Sequence, residues 1–137
     1  MASHMRSLYV VAGGILGALA RWGIESAFPA VPPAFPWGTL IVNVTGALGL
    51  GAVGTLAIER LANSARLRTF AGIGLFGSYT SFSTMALEGV RLIDTGRLGL
   101  AAAYWVATLM LGQMAGVYGM WLGRLGRTER SRDESRR

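Results

Sequence analysis

The placement of charge limits this sequence more than any other feature, because charged residues fall between or beyond long apolar stretches and hardly at all within them. A soluble domain scatters them over its surface. Hydrophobic residues make up 52% of the chain. As a helix, a run of ~20 apolar residues crosses ~30 Å of hydrocarbon. The 137 residues accommodate four such runs with no second domain. The expected fold is an all-α membrane protein with four transmembrane helices.

The first run covers about residues 7–27 and is too long and glycine-rich for a cleavable signal. Residues 1–4 read as an expression-tag remnant, which removes His4 from the candidate ligands. Residues 28–36 hold all four prolines, Pro29, Pro32, Pro33 and Pro36. Proline lacks the amide donor and clashes with the preceding turn, so a loop is expected there, followed by Trp37 as an interfacial anchor. The second run covers about residues 37–58, and residues 59–68, with three arginines, read as an exposed loop. The third, about residues 69–93, has a polar, glycine-rich centre at residues 74–84, where the helix is expected to break. The fourth covers about residues 98–123. The transmembrane domain is thus residues 5–123, and residues 124–137 form a charged tail expected to be disordered.

The net charge of +6 comes from arginine, much of it in the tail. Solvated basic residues at a membrane surface give that pattern, so lipid is the expected neighbour and nucleic acid is not. Counting positive loop residues places both termini in the cytoplasm, as a multi-pass protein of the plasma or cell inner membrane. Cysteine is absent, which excludes disulfides, thiolate chemistry and cysteine metal sites.

Non-helical backbone at membrane depth persists only where protein or a water-filled cavity satisfies the freed carbonyls and amides. At the expected break, the carbonyls of Gly77 and Thr80 are placed either to bind a cation or simply to sit in a kinked, packed helix. Just beyond it, Phe82 and Met85 share one face, and Ser81 and Thr84 share another. The hydroxyls can donate to an anion, and so can the positive edge of the Phe82 ring. Asn43, deep in the second run, must turn inward, either to donate to an anion or to bond a neighbouring helix. Tyr104 and Thr108 lie one turn apart and either extend a strip of hydroxyl donors or simply glue helices together, with Gln113 expected on another face. Arg21 can snorkel to the interface or draw anions to a pore mouth. Glu88 repels anions, which suggests a structural or mouth-gating role. Glycines recur at packing intervals, Gly13 with Gly17, and Gly112, Gly116, Gly119 and Gly123.

Three stretches together resemble one family. Gly14-Ile15-Leu16-Gly17-Ala18-Leu19-Ala20-Arg21-Trp22 looks like its opening pattern, Trp37-Gly38-Thr39-Leu40-Ile41-Val42-Asn43 like its second-helix start, and residues 74–88 like its diagnostic third-helix segment. The chain resembles the Fluc (CrcB) fluoride channels over residues 8–123. The resemblance implies an antiparallel, dual-topology homodimer with two fluoride pores, a structural sodium ion at its interface, and passive export of fluoride from the cytoplasm. By position, Gly77 and Thr80 would give sodium-binding carbonyls, Phe82 the first ring of an aromatic box, and Asn43 the pore amide. Ser81, Thr84, Tyr104 and Thr108 would extend the polar track. The departures are Met85, where a second phenylalanine is usual, and Gly112, where a hydroxyl often continues the track.

The rival reading is a small four-helix proton-coupled exporter of cations. It needs a carboxylate at membrane depth, whereas Glu25 and Glu88 lie toward the span ends. A non-transporting membrane subunit would leave the hydroxyls of residues 80–84 without a role. No nucleophile, base or metal cluster suggests an enzyme.

Overall fold

The computed structural model describes residues 3–59 and 64–125. Within them the chain is helical, with no strand among the described residues. Helix α1 spans Ser3–Ala27 and α2 spans Trp37–Glu59. The third expected span is segmented into a short α3 (Ala65–Leu67), a π-helical stretch (Arg68–Phe76), α4 (Gly77–Tyr79) and α5 (Phe82–Asp94). The last helix, α6, spans Leu98–Leu125. Three helices, α1, α2 and α6, are long and apolar enough to cross a membrane, and the bent third span runs among them.

The proline-rich segment ends α1 and delivers the chain to α2 through a turn in which the Ala34 amide donates to the Val31 carbonyl at 2.9 Å. One boundary needs correction. The loop expected over residues 59–68 closes early, because helix resumes at Ala65. Ser64, inside the expected loop, is its cap: the side-chain oxygen accepts from the Leu67 amide at 3.4 Å. A serine hydroxyl that competes with a helix from inside supports one from its N-terminus. Residues 60–63 lie outside the described residues, as does the tail beyond Leu125; α6 itself passes its expected end at residue 123 and runs to Leu125.

Two seams hold the bundle together: α2 against α6, and α1 against the π-helical stretch and α4. Both depend on glycine. A Cβ on Gly17 would run into the Leu75 carbonyl oxygen, and one on Gly119 into the Leu48 carbonyl oxygen. Lipid offers no hydrophobic incentive for helices to associate, so backbone approach and dense van der Waals contact must supply the stability. Gly17→Ala is therefore expected to destabilise the fold by about 1–3 kcal/mol, since its obstacle is backbone that cannot rotate away. Thermal unfolding in detergent checks this, with Gly23→Ala as the control because a Cβ at Gly23 meets nothing within 4 Å.

Candidate functional site

The third span loses its helical path at two residues. Thr80 (φ −77°, ψ 153°) and Ser81 (φ −144°, ψ 106°) are extended, between the end of α4 and the start of α5. Ser81 then caps α5, its Oγ accepting from the Thr84 amide at 3.1 Å and lying 2.7 Å from Thr84 Oγ1 and 3.3 Å from Ser83 Oγ. The break expected within residues 74–84 thus falls at the residues with the strongest local alternative to helical hydrogen bonding.

Asn43 reaches across from α2 to pair with the exposed peptide groups. Its Oδ1 accepts from the Ser81 amide at 2.8 Å, and its Nδ2 donates to the Ser81 carbonyl at 3.2 Å. This answers the backbone accounting that a break inside a membrane demands. One Asn43 amide hydrogen remains for another partner. Two residues along α2, Thr45 Oγ1 lies 2.8 Å from the Tyr79 hydroxyl and braces the other side of the break.

The diverted amides determine which carbonyls become available. In a continuous α-helix, the Gly77 carbonyl would accept from the Ser81 amide and the Thr80 carbonyl from the Thr84 amide. The first amide instead goes to Asn43 and the second to Ser81 Oγ. Gly77 and Thr80, the two positions expected to offer carbonyls to a cation, are therefore released from α-helical pairing. Hard oxygen donors of this kind suit a sodium ion. The Thr80 hydroxyl turns back to the Phe76 carbonyl at 3.0 Å and is not among the free donors.

Beside the break, a groove of about 300 Å³ is lined by Asn43, Ala47, Thr80, Phe82, Met85, Thr108, Leu109, Gly112 and Gln113. It brings together Asn43, Thr80, Phe82, Met85 and Thr108 from the sequence-derived candidates. Phe82 is 75% exposed and stands open to the groove side, whereas Met85 is 5% exposed and belongs to the core with Leu40, Leu92, Ala101 and Tyr104. The indole N–H of Trp105 donates to the Met85 carbonyl at 3.2 Å, tying the first turn of α5 to α6. Ser81 and Thr84 do not line the groove and turn their hydroxyls toward one another.

Tyr104 and Thr108 do not form one strip of free hydroxyls. Thr108 Oγ1 donates to the Tyr104 carbonyl at 2.8 Å, within its own helix. The Tyr104 hydroxyl, fully buried, points away to Glu88 Oε2 at 2.7 Å, and Thr39 Oγ1 donates to Glu88 Oε1 at 2.9 Å. Glu88 is accordingly not at an open mouth in the single chain. It is buried and shared by α2, α5 and α6, and the Phe35 ring meets Tyr104 edge-on at 5.5 Å between centroids. Arg21 is half-buried near the end of α1, outside the groove, one turn before Glu25.

Sequence reasoning missed Thr39 and Trp105 and put Gln113 on another face, although it lines the groove. Thr39 was findable, four residues before Asn43 on the same side of a helix. Trp105 was not, because its partner lies 20 residues away on a different helix.

The sequence profile described as "CrcB-like protein, Camphor Resistance (CrcB)" matches residues 8–120. The chain belongs to the CrcB-like family. Among similar proteins, "Fluoride-specific ion channel FluC 1" of Mycobacterium bovis is 45% identical over 106 residues, covering 77% of this chain and 80% of that protein. "Fluoride-specific ion channel FluC" of Nitrobacter winogradskyi is 39% identical over 119 residues, covering 86% and 94%. "Fluoride-specific ion channel FluC 2" of Nocardia farcinica is 41% identical over 110 residues, covering 80% and 78%. The CrcB-like match spans α1, α2, the bent span and most of α6, so it takes in every groove residue.

Proposed function

We propose that this chain is a fluoride-selective channel, not an enzyme, that lets fluoride leave the cytoplasm down its gradient. The observation that carries this reading is the groove at the helix break, where an amide, a threonine and an exposed phenylalanine converge inside a membrane-spanning bundle. The names of the similar proteins support fluoride as the ion.

The chemistry suits a small, strongly hydrated anion. Fluoride gives up its water only where donors replace it closely, and it leaves again only if no single contact is too strong. Neutral amide hydrogens and the positive edge of an aromatic ring meet both requirements. No lysine or arginine lines the groove, and a full positive charge there would trap the ion. No carboxylate lines it either, which leaves the proton-coupled exporter without a coupling group at this site.

The functional unit in this reading is an antiparallel homodimer of dual topology. Gly77 is exposed in the single chain, and released backbone carbonyls at membrane depth cannot face lipid. A second copy laid over the break would cover them. The Gly77 and Thr80 carbonyls of the chain would hold a sodium ion there, which supplies a fixed positive charge and structural cohesion.

Fluoride efflux from liposomes carrying the purified protein tests the proposal, with potassium and valinomycin dissipating the voltage and chloride as the control anion. Fast release of fluoride and retention of chloride are expected. No fluoride release from folded protein prepared in sodium would overturn the reading.

A further inference from the structure

We infer that Gln113 is a fluoride ligand of the pore, its side-chain amide donating to the ion as it moves along the groove past Thr108; this rests on the channel reading above. The argument begins with where the hydrogens of the groove go. Thr108 gives its hydroxyl hydrogen to the Tyr104 carbonyl, and Thr80 gives its own to the Phe76 carbonyl. Asn43 gives one amide hydrogen to the Ser81 carbonyl and keeps one. Of the side-chain N–H and O–H donors that line the groove, the uncommitted ones are therefore that single Asn43 hydrogen and the two of Gln113.

Gln113 has no hydrogen-bond partner among the described residues and lies exposed near the middle of α6. One turn to either side are Leu109, Met110, Gly116 and Val117, so nothing on its own helix offers the amide a partner. A bare amide facing lipid at that depth is unfavourable, whereas one facing a hydrated path is satisfied. The neighbouring residue, Gly112, leaves that path open. A Cβ at Gly112 would meet nothing within 4 Å, so the groove at this level has no side chain of residue 112 along its wall. The longer Gln113 side chain borders the same space and brings its amide donors to it.

The test compares the intact protein with Gln113→Leu and Gln113→Glu in the liposome efflux assay, with cross-linking and thermal unfolding of each variant. Leucine removes the donors and is expected to slow fluoride release by roughly tenfold, the effect of losing ~1.4 kcal/mol of ion stabilisation. Glutamate keeps the size, presents oxygen in place of N–H, and is expected to slow release at least as much. Dimer yield and unfolding temperature are expected to stay at the unaltered level. Gln113→Leu release within about twofold of the unaltered protein would overturn the assignment. Loss of flux accompanied by loss of the dimer would overturn it too, marking Gln113 as a tie between protomers. An unaltered protein that releases no fluoride overturns the channel reading itself, and this inference with it.

Discussion

Phe82→Ile is expected to slow fluoride efflux by about thirtyfold while leaving the fold and the dimer intact. Isoleucine fills much of the volume but has no ring, so it removes the electropositive edge and little else. The magnitude follows from the analogous contact of an ion with a ring: ~2 kcal/mol in a desolvated setting, against 1.36 kcal/mol for each tenfold of rate. Two features of the site make the loss hard to compensate. Phe82 is the one aromatic residue among the described residues that line the groove. Its 75% exposure in the single chain means that little protein depends on it for packing. Efflux rate and cross-linked dimer yield, measured side by side, check both halves of the expectation. An unchanged rate would remove the ring edge from the mechanism.

Asn43→Asp is expected to have the larger effect, reducing fluoride release to the background of protein-free vesicles. The carboxylate still accepts from the Ser81 amide but no longer donates to the Ser81 carbonyl, and it takes away the amide hydrogen left over for an ion. It also places negative charge beside the path of an anion, at a depth where a charged side chain costs about 2.5–3.5 kcal/mol to insert. Helical circular dichroism and dimer yield separate a blocked path from a failed fold. Conduction near the unaltered rate would show that Asn43 serves the backbone alone and does not face the ion.

The long-range plan of the bundle was legible because hydrocarbon thickness and backbone satisfaction leave so few solutions. The second span was expected from Trp37, and α2 starts there. The proline cluster ends α1, and the third span breaks inside its polar centre, at Thr80 and Ser81. What could not be read was anything decided by a partner distant in the chain. The π-helical widening over Arg68–Phe76 has no local signature. It lies where the backbone of α1 comes so close that a Cβ on Gly13 or Gly17 would run into the Phe70 or Leu75 carbonyl. The fate of Tyr104 was equally hidden. One turn from Thr108 it looks like the next step of a hydroxyl strip, yet Glu88, 16 residues away, takes its hydrogen. Glu88, judged by its place near the end of a span, was open to a structural or a mouth-gating role. Two hydroxyls from other helices keep it inside. Residue type and spacing identify which groups need partners, and only the fold says which partner each one finds.

The pairing of Asn43 with Ser81 changes what kind of corner the helix break is. An interrupted helix is commonly treated as a hinge, because released peptide groups can swing. Here the side-chain amide of α2 imitates a peptide group and meets Ser81 through both its N–H and its C=O, as one residue meets its opposite number in an antiparallel ladder. A single rung of sheet is thus built between two helices. Two contacts on the N–H and C=O of one residue, which belong to the adjacent peptide groups on either side of the Ser81 Cα, oppose rotation as well as separation, so the corner behaves as a rivet, and the direction in which Phe82 leaves the backbone is referred to α2 rather than to the flexing of its own helix. Motion beside the break then falls to exposed side chains, which rotate in picoseconds to nanoseconds, more than to the slower swinging of helices.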